Sequence, residues 1–228
     1  ITSSVSANTT SGFSIVSYTG NGTGGATVGH GLGVSPSMII TKVRSTSNNW
    51  VVYHKSLPIT EYLIMNSTVA AQTDNEVVYF DTAPTSSVFT IGNNGVVNGS
   101  GSTYISYCFA EVKGYSKFGS YVGNGVDTNG TFVYTGFKPA FIITKNTISG
   151  TAQWLMQTAD GLNTYNPVKY GQLRPNLSNA EYAGYTTDFL SNGFKFYNDT
   201  DQDNSTGETF IYMAFAENPL VGSNNIPT

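Results

Sequence analysis

The chain has 228 residues, a formal net charge of −4 and only 11% charged residues, against about 25% in an average soluble domain. Gly (25), Tyr (15), Phe (13), Ser plus Thr (53) and Asn (22) are abundant. This composition excludes helical bundles and coiled coils, which need Ala, Leu, Glu and Lys in quantity, and its 39% apolar content excludes disorder. No apolar run approaches the roughly 20 residues of a spanning helix, and the acidic balance argues against nucleic acid as main partner. An all-β protein is what fits.

Residues 1–11 are rich in Ser, Thr and Asn and read as a polar arm or linker. No signal-peptide pattern is present. Residues 13–18 alternate apolar and polar, as a half-buried strand does. Residues 37–43 form a β-branched run after Pro36, and residues 50–54 read as its hairpin partner. Residues 77–80, 88–91 and 103–112 are expected as further strands. Asn21-Gly22, Asn94-Gly95, Asn124-Gly125 and Asn192-Gly193 are turn signals that supply positive φ. Ser178-Asn179-Ala180-Glu181 has capping-box spacing and predicts one helical turn, with residues 66–72 as its counterpart.

An internal repeat organises the chain. Residues 33–42 match 136–145, and Ser17-Tyr18-Thr19-Gly20-Asn21-Gly22 matches Ser120-Tyr121-Val122-Gly123-Asn124-Gly125. Trp50 falls near Trp154, Phe89-Thr90-Ile91 aligns with Phe194-Lys195-Phe196, and residues 104–111 match 210–217. Four segments in one order mean duplication. The expected architecture is two tandem, tightly packed β-sandwich repeats, jelly-roll-like and related by a pseudo-two-fold. They run over residues 12–114 and 115–219, with a polar tail at 220–228.

Catalysis has little to stand on. His30 and His54 read as turn and strand-end residues, and no nucleophile elbow, zinc motif or phosphate loop is present. Glu111 and Glu217 are a carboxylate pair that duplication alone explains. The chain is therefore not expected to be an enzyme. The lone Cys108 allows no internal disulfide and reads as a small core residue. Asp199, Asp201 and Asp203 alternate like calcium ligands, so calcium is the one cofactor considered, although the rest of an EF-hand is missing and a solvated hairpin tip is the plainer reading. Trp50, Trp154, Tyr165, Tyr170, Tyr182 and Tyr185 are the candidate sugar-stacking aromatics, with core packing as the plainer reading of the two tryptophans.

Several strings together carry a family resemblance. They are Gly12-Phe13-Ser14-Ile15-Val16-Ser17-Tyr18-Thr19-Gly20-Asn21-Gly22, Val28-Gly29-His30-Gly31-Leu32-Gly33-Val34-Ser35-Pro36 and Trp50-Val51-Val52-Tyr53-His54-Lys55-Ser56-Leu57 in the first half. In the second half they are Tyr134-Thr135-Gly136-Phe137-Lys138-Pro139-Ala140, Leu173-Arg174-Pro175-Asn176-Leu177-Ser178, Asp188-Phe189-Leu190-Ser191-Asn192-Gly193-Phe194-Lys195 and Ile211-Tyr212-Met213-Ala214-Phe215-Ala216-Glu217-Asn218-Pro219. Over about residues 12–219 the chain resembles a duplicated β-domain of tailed-bacteriophage virion proteins, common in marine phages, that often ends a tail fibre or other appendage. The resemblance implies a virion location and a structural or adhesive role, and it carries no catalytic or ligand residue over. The resulting expectation is a receptor-binding or adhesion module for host surface glycan. The other expectation is a purely structural protein (capsid decoration, fibre subunit or tail adaptor) that binds only other virion proteins. Either would be a homo-oligomer, a trimer by analogy with tail fibres.

Overall fold

The structure is a computed structural model and describes residues 1–159 and 168–219. The chain divides into two compact units, one made of Ile1–Met65 with Ala71–Glu111, the other of Asn66–Ala70 with the chain from Val112 onward. Both are built from antiparallel sheets, as the strand-rich sequence predicts.

Unit one contains β1 (Ser3–Asn8), β2 (Phe13–Thr19), β3 (Ala26–Gly29), β4 (Met38–Val43), β5 (Trp50–His54), β6 (Glu61–Ile64), β7 (Gln72–Thr73), β8 (Val88–Ile91), α1 (Gly95–Asn98) and β9 (Thr103–Phe109). A seven-stranded sheet has the order β1-β2-β9-β4-β5-β6-β7, and β3 pairs with β8 in a second sheet. Val16 and Tyr18 from β2, Ile39 from β4 and Tyr104 and Cys108 from β9 share one core with Val28 of β3 and Phe89 and Ile91 of β8. The alternation in β2 is what puts Val16 and Tyr18 inside while Ser17 and Thr19 face out. Burial pushes the Cys108 thiol up to about 12.

Unit two contains β10 (Ser116–Val122), β11 (Phe132–Tyr134), β12 (Pro139–Asn146), β13 (Trp154–Thr158), β14 (Val168–Gln172), β15 (Tyr182–Leu190), β16 (Gly193–Phe196) and β17 (Thr209–Ala216). Its sheets have the orders β10-β17-β12-β13 and β11-β16-β15-β14. The order β10-β17-β12-β13 repeats β2-β9-β4-β5, and the pairing of β11 with β16 repeats that of β3 with β8. Tyr121, Phe210 and Tyr212 of one sheet pack with Phe189, Phe194 and Phe196 of the other, and the Tyr121 and Phe210 rings lie 4.9 Å apart and nearly parallel.

The repeated Gly-Asn-Gly motif now has a physical reason. A Cβ on Gly20 would sit 2.5 Å from the Gly99 carbonyl oxygen, and one on Gly123 would sit 2.1 Å from that of Ser205. Gly22 and Gly125 have φ of 72° and 61°, the left-handed region. Between them, the Asn21 N–H donates to Asn98 Oδ1 (2.9 Å) and the Asn124 N–H to Asn204 Oδ1 (3.1 Å). The Tyr18 hydroxyl donates to the Val97 carbonyl and the Tyr121 hydroxyl to the Asp203 carbonyl, both at 2.8 Å.

Several expectations need correction. The polar segment 1–11, read as an arm or linker, contributes a strand: β1 pairs along its whole length with β2, from Ser3 opposite Tyr18 to Asn8 opposite Phe13. Residues 77–80 are not a strand. The buried Asp74 carboxylate accepts the Val78 and Tyr79 N–H groups at 2.5 and 2.6 Å, and Asn75, Glu76, Phe80 and Asp81 all have positive φ, which no strand allows. Asn94-Gly95 is a helix start: Asn94 caps α1 by accepting the Val96 N–H. Gly193 opens β16, and it is glycine because a Cβ would lie 2.1 Å from the Val133 carbonyl oxygen. Residues 178–181 and 66–70 form no helical turn; a capping box with no apolar stripe behind it cannot sustain nucleation.

Candidate functional site

The first candidate surface lies where β14 ends and β15 begins. Gln172 of β14 pairs with Tyr182 of β15, and Leu173 makes a backbone bridge to Met156. The turn that follows carries Arg174 and Leu177. Leu173, Leu177 and Tyr182 are 41%, 43% and 45% exposed. The Arg174 guanidinium stands 4.8 Å from the centroid of the Tyr182 ring. The result is an exposed aromatic ring with a guanidinium over it, on a segment that also exposes two leucines. Such a patch combines a stacking face with hydrogen-bond donors. Of the aromatics singled out in the sequence, Tyr182 is the exposed one whose surroundings are described. Tyr165 lies outside the described residues, as do the side chains of Tyr170 and Tyr185, whose backbones sit in β14 and β15.

The two tryptophans occupy equivalent hairpin positions and different environments. Trp50 pairs with Lys42 across β4 and β5, is partly buried, and stacks on Tyr107 with ring centroids 6.4 Å apart. Trp154 pairs with Lys145 across β12 and β13 and is fully buried. Its ring is therefore a packing element, which corrects its placement among sugar platforms. Each lysine reaches the carbonyl two residues before its tryptophan: Lys42 that of Asn48, Lys145 that of Ala152. Lys145 also donates to the Thr68 carbonyl (3.0 Å) and has no exposed surface, so burial lowers its pKa to about 8.

The acidic loop does not assemble a calcium site. Asp201 accepts from Ser149, Thr151 and Gln202. Asp203 is buried and accepts from Asn198 Nδ2 (2.8 Å) and Thr200 Oγ1 (2.9 Å), and burial raises its carboxyl to about 6. Asp199 is exposed. Among the described residues no three His, Cys, Asp or Glu side chains gather as a metal ion needs. Glu111 pairs with Lys55 (2.6 Å) and Glu217 with Lys138 (2.7 Å), each within its own unit. His30 is buried in its turn, with Nε2 donating to the Thr85 carbonyl and Nδ1 accepting from the Leu32 N–H; burial lowers its pKa and keeps the ring neutral.

A second candidate surface escaped the sequence reading. A cavity of 320 Å³ opens on unit one, lined by Thr2, Ser4, Ser17, Thr19, Thr103 and Arg44 among others. The alternating Ser and Thr at positions 2, 4, 17 and 19 were a visible signal, but their convergence depends on strand register.

The chain belongs to the family described as a domain of unknown function, DUF7483, whose model matches residues 1–219. The match takes in the segment that forms β1. No curated protein and no solved structure matches the chain.

Proposed function

We propose that this chain is a virion protein of a tailed bacteriophage, an adhesion module of a tail fibre or similar appendage that recognises host surface glycan. The observation that supports the binding role is Tyr182, a residue 45% exposed with the Arg174 guanidinium over its ring. An aromatic face stacks on the apolar face of a sugar ring, and a guanidinium hydrogen-bonds its hydroxyls. The phage setting rests on the resemblance of the strings quoted above. The module works as a homo-oligomer, where repeated weak sites add through avidity.

A glycan-array and host-cell binding screen of the purified protein, with and without calcium, tests this reading. Saturable binding that falls at least about tenfold in Tyr182→Ala is the expected result. The exposed Leu173 and Leu177 favour a second reading, in which the same patch contacts another virion protein and no sugar. Absence of binding across hosts and glycans, with stable assembly onto virion components, would select it.

A further inference from the structure

We propose that the cavity on unit one is a binding site for an acidic saccharide, with Arg44 holding the carboxylate and the surrounding Ser and Thr side chains holding ring hydroxyls. The proposal rests on the carbohydrate-binding reading above and adds a second site and a charge requirement to it.

Strand register builds the site. Ser4 lies opposite Ser17 across β1 and β2, and Thr19 lies opposite Thr103 across β2 and β9. Val43 of β4 pairs with Tyr104 of β9, which brings the next residue, Arg44, level with Thr103, and the Arg44 N–H donates to the Thr103 carbonyl at 2.7 Å. Side chains alternate between faces, so Ser4 of β1, Ser17 and Thr19 of β2 and Thr103 of β9 share one face; Thr2, just before β1, and Arg44, just after β4, line the same cavity and complete the row Thr2, Thr19, Thr103, Arg44. Ser3, between Thr2 and Ser4, points the other way: its hydroxyl donates to the Gly29 carbonyl on β3. At about 4.8 Å per strand the row spans roughly 14 Å, the scale of a short oligosaccharide.

The groups in this row are uncommitted. Among the described residues, none of the five hydroxyls and no guanidinium nitrogen of Arg44 is hydrogen-bonded or ion-paired to protein. No acidic residue lines the cavity. A guanidinium with no carboxylate partner takes an anion in planar, two-pronged fashion. Serine and threonine hydroxyls both donate and accept, as sugar hydroxyls do. A simple oxyanion would use the guanidinium and leave the hydroxyl row unmatched, whereas a uronic acid uses both. The volume falls at the lower end of the range of about 300–1,000 Å³ for ligand pockets.

The test is calorimetric titration of the full chain with tetragalacturonate and with its carboxyl-reduced form. The expected result is binding of the acid form at least about tenfold tighter, with the gap closing as salt is raised. Arg44→Ala should bring the acid form to the level of the neutral one without changing thermal stability, since Arg44 is exposed. Equal binding of both forms, or a charge preference that survives in Arg44→Ala, overturns the proposal and leaves carbohydrate binding intact. So does binding of neither form while the glycan array is positive. If no glycan binds at all, both readings fall.

Discussion

Asn98 and Asn204 are one hydrogen-bond hub used twice. Asn98 accepts the Asn21 N–H and donates to the Thr23 and Gly92 carbonyls. Asn204 accepts the Asn124 N–H and donates to the Asn198 carbonyl and to Asn124 Oδ1. Both are fully buried. The preceding turns differ (α1 before Asn98, an acidic non-helical turn before Asn204), yet the hub is the same.

Asn98→Ala and Asn204→Ala should each cost about 2 kcal/mol, because each leaves several partly buried backbone groups without their side-chain partner. Urea unfolding measures this. A loss under about 1 kcal/mol at both positions would mean that water replaces the amide and the hub is not structural.

Asp203 has a folded pKa of about 6 against 3.8 when free. The folded state therefore holds a proton that the unfolded chain has released between those values. Its contribution to stability is fully present below pH about 4 and is lost as pH rises through 6. The loss is of the order of 2–3 kcal/mol. Asp203→Asn keeps an acceptor for Asn198 or Thr200 and removes the titration. Melting curves from pH 4 to 7 should show a shallower decline in the variant; parallel curves would exclude Asp203 as the source.

Lys145 shows the opposite slope. Its folded pKa of about 8 lies below the ordinary 10.5, so the unfolded chain binds the extra proton between these values. Stability should rise with pH across that window, and Lys145→Met should abolish the rise. The nearby Asp201 charge works against the shift, so Asp201→Asn should steepen the slope. Denaturant titrations at pH 7.5, 8.5 and 9.5 resolve both effects.

Glu111 and Glu217 make exposed ion pairs, whose median worth is about 0–1 kcal/mol. Glu111→Gln and Glu217→Gln should each shift unfolding by no more than about 1 kcal/mol. A loss above 2 kcal/mol in either variant would give that pair a structural role beyond charge.

Local signals were legible in the sequence and distant ones were not. The β-branched run after Pro36 and its repeat within residues 136–145 identify β4 and β12, and the matched strings fall on strands that hold the same order in both units. Residues 77–80 misled because their apolar run is bent by Asp74, a single carboxylate whose effect no propensity records. Trp50 and Trp154 stand at equivalent hairpin positions, yet one is partly and the other fully buried, since burial depends on what covers the sheet. The Arg44 cavity draws on four strands and was invisible until register fixed which side chains share a face. Asp199, Asp201 and Asp203 have ligand spacing along the chain, but Asp203 turns inward to cap its own turn.

The buried Cys108 makes the protein its own stopwatch. Burial pushes the thiol up to about 12, so the reactive thiolate is scarce near neutral pH, and Cys108 on β9 has no exposed surface. A thiol reagent must wait for unit one to open. The chain has 1 cysteine, and unit two has none, so the labelling rate times the opening of a single unit against an internal partner that stays silent.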